Sequence, residues 1–373
     1  MALSLMEGNE AIARGAVAAG CRFFAGYPIT PATTIYNQML NLLPPAGGIV
    51  LQGEDEIASI GFCLGASMAG MKVMTATSGP GISLYSENIS FAVGSEIPIV
   101  IVDVQRLGPS TGSATRGADG DINFLRWGNS GGMPVIVLAP VDVKDCFSLT
   151  MHAFNLAEKF RCPVFIASNK EISMTRESID LDALEQPDLI VRNSPPAGKP
   201  YLPFQVAEGQ QVPDFLPIGG KVLVRQTSST HGQEGYITTD HGEIAQMLNR
   251  LQNKLESAVD QFSFYDLIEA QGSETLIITY GVTARAAKAV YREFNQYGTP
   301  ISVLILKTLW PIPVNTIRKA VRKVKRVLVV EMNLGQYVRE IERLVPDTDL
   351  DFYGQMNGRL ITPKEIKERL AIG

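Results

Sequence analysis

Residues 49–81 read IVLQGEDEIASIGFCLGASMAGMKVMTATSGPG. A short apolar run, Ile49–Gln52, ends in an acidic turn, Gly53–Glu56. An Ala/Gly-rich segment with a helical apolar face follows over Asp55–Ala69, and a second β-branched run, Lys72–Thr77, closes in the loop TSGPG at Thr77–Gly81. Strand, helix and strand joined by short turns form the βαβ unit of a parallel sheet.

The same alternation extends to both sides. Candidate strands Arg22–Gly26, Ile97–Val102, Val135–Ala139 and Pro163–Ala167 have the near-continuous apolar character of strands covered on both faces. Candidate helices include Gly8–Ala19 and Asp142–Phe160, the latter with Asp142 placed to cap it. From about 169 to 272 the periodicity decays. Asn193–Pro203, NSPPAGKPYLP, is too proline-rich for helix or central strand, so a connector wrapping the surface is expected before an amphipathic helix over 242–259. A second α/β rhythm then sets in, with strands Thr275–Tyr280, Ile301–Lys307 and Arg326–Glu331 and helices Thr283–Tyr297, Val314–Val321 and Gln336–Leu344. The expected architecture is therefore α/β, with a first unit over 1–170, its extended continuation over 171–272 and a smaller unit over 273–373.

Composition narrows the classes. A chain of 373 residues exceeds what one core usually serves, and a net charge of -5 argues against a nucleic-acid platform. The longest apolar runs, such as Ile97–Val102, fall far short of the roughly 20 residues that cross a bilayer, and no basic segment precedes a long apolar one at the N-terminus. A cytoplasmic protein with no membrane contact is expected. Cys21, Cys63, Cys146 and Cys162 are isolated, with no CxxC pair for zinc or an iron–sulfur cluster, so they are expected to be small buried hydrophobes and the chain to hold no metal.

In an open parallel sheet ligands bind beyond the carboxyl ends of the strands. Four loops fall there. In GYPITPATT, Gly26–Thr34, prolines 28 and 31 stiffen the backbone around Thr30, whose hydroxyl serves either a ligand or an ordinary Ser/Thr turn. In GEDE, Gly53–Glu56, the acids either complement a helix N-terminus or hold a carboxyl ready for proton transfer. TSGPG is a tight turn or a loop that lets a ligand approach the backbone, and it has neither the Walker nor the GxGxxG spacing. In QRLGPSTGSAT, Gln105–Thr115, Arg106 is either a carboxylate clamp or a surface ion pair. His152 falls inside a helix and reads as structural, whereas His231 and His241 lie in a polar stretch open to a ligand or partner. No GxSxG elbow or Cys–His pair supports a side-chain nucleophile.

Taken together, YPITP at Tyr27–Pro31, EDEIASIGFCLGASMAG at Glu54–Gly70, TSGPG at Thr77–Gly81 and QRLGPSTG at Gln105–Gly112 resemble the α subunits of 2-oxoacid:ferredoxin oxidoreductases, above all the separate α chains of the 2-oxoglutarate enzymes. YGVTARAAKAV at Tyr280–Val290, LWPIP at Leu309–Pro313 and EMNLGQ at Glu331–Gln336 are similar to the domain that follows in that family. The resemblance implies a thiamine-diphosphate-enzyme pyrimidine-type domain followed by a transketolase C-terminal-like domain. It implies that Glu56 activates the coenzyme at N1′ of its aminopyrimidine, and that Thr30 and Arg106 meet the reacting carbonyl and the substrate carboxylate, with Ser110 and Thr111 beside them. Tyr27, Pro28, Ile29, Ser78, Gly79 and Pro80 are implied contacts of the coenzyme.

The chain has no GDG with a downstream Asn pair, since Asp119–Asp121 reads DGD without one. The diphosphate and Mg²⁺ are accordingly expected on a β subunit, together with [4Fe–4S] centres, and coenzyme A and ferredoxin as co-substrates. Met1 stands a few residues before the first helix, so a γ region is expected on a separate polypeptide or not at all, with a small ferredoxin-like δ as a further partner. The 2-oxoacid is expected to be 2-oxoglutarate, with pyruvate or branched 2-oxoacids as alternatives. Arg116 and Arg126 are candidates for a second carboxylate, and SATRGADGD at Ser113–Asp121 departs from the family's commoner continuation. A nicotinamide dehydrogenase lacks its phosphate fingerprint here, while a scaffold subunit without catalytic residues remains the other alternative.

Overall fold

The apolar runs become strands, buried except at the edge strand over Ile49–Gln52, and the segments between them become the helices that cover both faces. The computed structural model describes residues 3–371 apart from 185, 197 and 199. The chain opens with β1 (Ser4–Glu7), α1 (Gly8–Ala18), β2 (Phe23–Gly26), α2 (Thr33–Leu42), β3 (Ile49–Gln52), α3 (Glu56–Met68) and β4 (Val73–Thr77). Two short helices, α4 (Pro80–Leu84) and α5 (Ser86–Gly94), lead to β5 (Ile99–Gln105), α6 (Ile122–Trp127), β6 (Ile136–Leu138), α7 (Val143–Phe160), β7 (Pro163–Asn169), α8 (Lys170–Ser173) and β8 (Arg176–Ile179). After the connector come α9 (His241–Glu256), β9 (Tyr265–Ile268), β10 (Thr275–Tyr280), α10 (Thr283–Gln296), β11 (Ile301–Leu306) and β12 (Thr308–Trp310). The chain ends with α11 (Val314–Val321), β13 (Arg326–Glu331), α12 (Val338–Leu344), β14 (Asp349–Gly354) and α13 (Pro363–Ala371).

The first sheet has seven strands in the order β12-β6-β7-β5-β4-β2-β3, parallel throughout except where β12 pairs antiparallel with β6. Every residue of β4, β5 and β7 is buried, which is why these segments lack polar alternation. The second sheet, β14-β13-β10-β11-β9, is parallel except for β9. Both units are α/β, as the sequence pattern implies. The element limits agree with those expected to within a few residues, with one informative exception: β5 runs on through Asp103 to Gln105, past the expected end at Val102. The β1–β8 ribbon, β9, β12, β14 and α13 are not anticipated by the sequence pattern. Three-residue β12 carries the second unit's chain onto the edge of the first sheet.

The connector is pinned rather than loose. Arg192 pairs with Glu158 at 2.6 Å and donates to the carbonyls of Ser67 and Met71, and Ile218 N–H donates to Met68 O. Residues 197 and 199 of the proline-rich stretch Asn193–Pro203 lie outside the described residues. All four cysteines are buried and free, and burial pushes the thiols of Cys21 and Cys162 up to about 12.

Candidate active site

The loops after β2, β3, β4 and β5 meet at one end of the first sheet, and each contributes a different chemical group. After β3, Asp55 caps α3 by accepting the Ala58 N–H at 2.7 Å, a contact worth about 0.5–2 kcal/mol. Capping by Asp55 leaves the next residue, Glu56, free for another task. Glu56 opens the helix only 7% exposed, and its carboxylate accepts no hydrogen bond from a described residue.

The loop after β4 is built around that carboxylate. Gly79 adopts φ +43°, with Pro80 behind it at the start of α4. A Cβ on Gly81 would collide with Thr77 Oγ1 and come within 2.9 Å of Glu56 Oε1, so only glycine lets the acid lie there. A Cβ on Gly79 would stand 3.3 Å from Arg106 Cγ, so the arginine of the β5 loop packs on the same turn.

Arg106 in turn holds the β2 loop. Its Nη1 donates to Thr30 O at 2.6 Å and its Nη2 to Thr111 O at 2.9 Å. From below, buried Asn9 of α1 donates to Pro31 O at 2.9 Å and to Thr34 Oγ1 at 2.6 Å, fixing the loop that carries Thr30. The loop 107–113 folds back on itself through the Leu107–Ser113 bridge and exposes Ser110 and Thr111. Tyr27, Pro28 and Ile29 form the neighbouring lip, with Tyr27 39% exposed.

The electrostatics of the cluster are unusual for a surface loop. Arg106 is buried, and desolvation pulls its guanidinium below the usual value, while Asp121 and then Glu56 oppose the shift. Thr77 Oγ1, Ser78 Oγ and Arg106 Nε are buried without a hydrogen-bond partner. Orphaned donors beside an unpaired acid indicate a place for a polar guest, because buried polar groups are ordinarily satisfied.

The structure thus brings together Thr30, Glu56, Ser78, Gly79, Pro80 and Arg106. It does not bring in the two extra arginines. Arg126 donates to the carbonyls of Gly132 and Met133 and stacks on Trp127, in a separate cavity of about 660 Å³ that also includes Trp310. Arg116 lies against Gly358 of the second unit. His231 is buried and stacked on Phe204, with ring centroids 3.7 Å apart, and so belongs to the connector's packing, whereas His241 begins α9 on the exposed side. His152 packs against Phe264.

Asn9 and Asp103 escape the sequence reading, and the positioning roles of Thr77, Gly81 and the second unit's EMNLGQ segment, which it meets only as parts of motifs, emerge in the structure. Asn333 and Gln336 donate to the carbonyls of Asp119 and Gly120, and Asp119 N–H donates to Met332 O, clamping the DGD loop. Among the described residues no group of three or more His, Cys, Asp and Glu forms a metal site.

The family described as pyruvate flavodoxin/ferredoxin oxidoreductase, thiamine diphosphate-binding, matches residues 14–250, and pyruvate:ferredoxin oxidoreductase core domain II matches residues 273–366. The 2-oxoglutarate synthase subunit KorA of Methanocaldococcus jannaschii is 39% identical over 100% of both chains. The solved 2-oxoglutarate:ferredoxin oxidoreductase from Magnetococcus marinus, with 2-oxoglutarate, coenzyme A and succinyl-CoA bound, superposes with a TM-score of 0.92 at 32% identity. That match covers 99% of this chain and 65% of the solved one. A split-gene transketolase (inactive β4 tetramer) matches with a TM-score of 0.53 at 10% identity, over 97% of this chain and 91% of that one, a likeness of fold alone.

Proposed function

The chain belongs to the pyruvate flavodoxin/ferredoxin oxidoreductase family, and on that premise we propose that it is the α subunit of a thiamine diphosphate-dependent 2-oxoacid:ferredoxin oxidoreductase acting on 2-oxoglutarate. The reaction converts 2-oxoglutarate, coenzyme A and oxidised ferredoxin to succinyl-CoA, carbon dioxide and reduced ferredoxin, reversibly. The observation that carries this reading is the unpaired, buried carboxylate of Glu56 in one mouth with Arg106 and two orphaned hydroxyls.

That donor set fits the pyrimidine half of the coenzyme. When bound, thiamine diphosphate supplies the carbon nucleophile that attacks the ketone and the electron sink that takes up the pair left by departing CO₂. Glu56 holds the proton at N1′ of the aminopyrimidine. Ser78, Gly79 and Pro80, with Tyr27, Pro28 and Ile29 opposite, shape the wall against the ring. Arg106 binds the 2-oxoacid carboxylate, Thr30 donates its hydroxyl toward the ketone oxygen, and Ser110 and Thr111 line the approach.

A β subunit supplies the diphosphate and Mg²⁺ site and a [4Fe–4S] centre, and γ and a ferredoxin-like δ complete the assembly that serves ferredoxin. Support for β at this face comes from the surface around Glu56. Ile57 and Phe62 on α3 are 49% and 46% exposed, and Ile49 and Leu51 are exposed on the edge strand β3. A bare apolar helix face beside an open edge strand is an interface rather than a solvent surface. The described residues contain no helix long and apolar enough to cross a membrane.

Purification of the chain with its partners tests the assignment. The complex is expected to reduce ferredoxin with 2-oxoglutarate and coenzyme A at a kcat/KM at least about 10-fold above that for pyruvate or branched 2-oxoacids, and the isolated chain to be inactive. Turnover by the chain alone would contradict the subunit assignment, and a preference for pyruvate would move the substrate. Within that complex Gly81→Ala is expected to cost about 10–100-fold in kcat by displacing Glu56, with the fold intact by circular dichroism.

A further inference from the structure

Beneath the Gly79–Arg106 wall lies a layer of acid. Asp103, on β5, is fully buried. Neither of its carboxyl oxygens, nor Oδ2 of Asp121, meets a hydrogen-bond donor among the described residues. The two carboxyls lie within hydrogen-bonding reach of each other. Two adjacent ionised carboxylates without donors repel each other and lose their hydration, whereas a pair sharing one proton forms its own hydrogen bond and carries a single charge.

The surroundings of the pair favour keeping that proton. Asp119, in the same loop as Asp121, faces Asp103, with Glu331 of β13 and Glu171 of α8 beyond it. Glu56 of α3 faces Arg106 from the other side. Arg106 faces Asp121, Lys170 pairs with Glu171 at 3.4 Å, and the Gly79 N–H lies beside Asp103. Burial and mutual repulsion push Asp103 well above the carboxylate range, and burial pushes Asp121 up to about 6.

The pair is tied mechanically to the substrate loop. The Asp121 N–H donates to Gln105 Oε1 at 3.0 Å, next to Arg106, and the terminal nitrogens of Arg106 reach only the neutral carbonyls of Thr30 and Thr111. Asp121, and after it Glu56, favour its charged form through space, without an ion pair among the described residues.

Resting on the function proposed above, we propose that Asp103 and Asp121 hold one proton between them and serve as positioning residues, Asp121 fixing the Gln105–Arg106 turn through its N–H and protonated Asp103 keeping a second negative charge away from the Arg106 guanidinium that meets the 2-oxoacid carboxylate. Asn at position 103 reproduces the donor of the protonated acid, while Leu removes it.

Two measurements on the reconstituted complex test this. Asp103→Leu is expected to raise KM for the 2-oxoacid by about 10-fold or more, and Asp103→Asn to restore it to within about 3-fold. The rise of KM at alkaline pH, as the shared proton leaves, is expected in the wild type and not in Asp103→Asn. Independently of turnover, the infrared difference spectrum of the full chain against Asp103→Asn should contain a protonated-carboxyl stretch at neutral pH. Absence of that band, or an Asp103→Asn variant as impaired as Asp103→Leu, would overturn the shared proton. A wild-type complex inactive on every 2-oxoacid yet showing the band would overturn the functional assignment and support the pair.

Discussion

Replacing Glu56 by Ala is expected to lower kcat of the reconstituted complex by about 10²–10⁴, the usual contribution of a positioned proton-transfer group. The chain itself should be little affected. Because the Glu56 carboxylate accepts no hydrogen bond from a described residue and the helix cap belongs to Asp55, the substitution removes neither an internal pair nor the start of α3. Glu56→Gln separates charge from shape, since the amide fills the same space beside Gly81 but cannot exchange a proton at the ring nitrogen. It should lose nearly as much turnover as Ala while leaving the melting temperature unchanged. A complex carrying Glu56→Ala that works at a near-normal rate would remove Glu56 from the chemistry and favour a scaffold role for the chain.

The largest expected effect on stability lies elsewhere. Glu96 is fully buried at φ +52° and receives Arg250 at 2.5 and 2.9 Å and Lys254 at 2.9 Å, both cations coming from α9. Arg161 adds donations to the carbonyls of Glu96, Pro213 and Asp214. Together these fasten α9 and the connector to the end of α5. Glu96→Ala leaves two cations without their counter-charge in the interior and should cost about 3–5 kcal/mol in denaturant unfolding. Burial pushes the Glu96 carboxyl up, but Lys254 and Arg250 outweigh it and hold the group at about 2. A folded-state value below the ordinary one means that its contribution is complete above about pH 5 and fades as pH falls toward 2. The acid limb of the wild-type stability profile should therefore be shallower in the variant. A loss under about 1 kcal/mol would show that the cluster is not the fastening it is taken to be.

Much of the fold was legible because parallel strands covered on both faces must be apolar along their length, and Thr275–Tyr280 and Arg326–Glu331 have the expected limits. The same rule explains the shortfall at β5. Asp103 is a charged residue in an apolar run, read as the strand's end, although the strand accommodates it to Gln105. A lone acid interrupting such a run is the signal that could have pointed to a proton-holding carboxyl. The β1–β8 ribbon and β12 depend on partners far away in the chain, which local periodicity does not reveal.

The candidate site was legible as four loops but not as an arrangement. Loop position draws attention to Thr30 and Arg106 and the family resemblance singles out Glu56, yet that Gly81 makes room for the acid, or that Asn9 braces the Thr30 loop, emerges only in three dimensions. Arg116 and Arg126 illustrate the converse, since in sequence they are candidates for a second carboxylate while their side chains pack on Gly358 and Trp127.

The most direct test is the structure of the assembled enzyme with thiamine diphosphate bound. The Glu56 carboxylate is expected within about 2.6–3.2 Å of the pyrimidine N1′, with the diphosphate and its magnesium held by the β subunit. Glu56 standing beyond hydrogen-bond reach of that nitrogen, or residues of this chain gripping the diphosphate, would contradict the account.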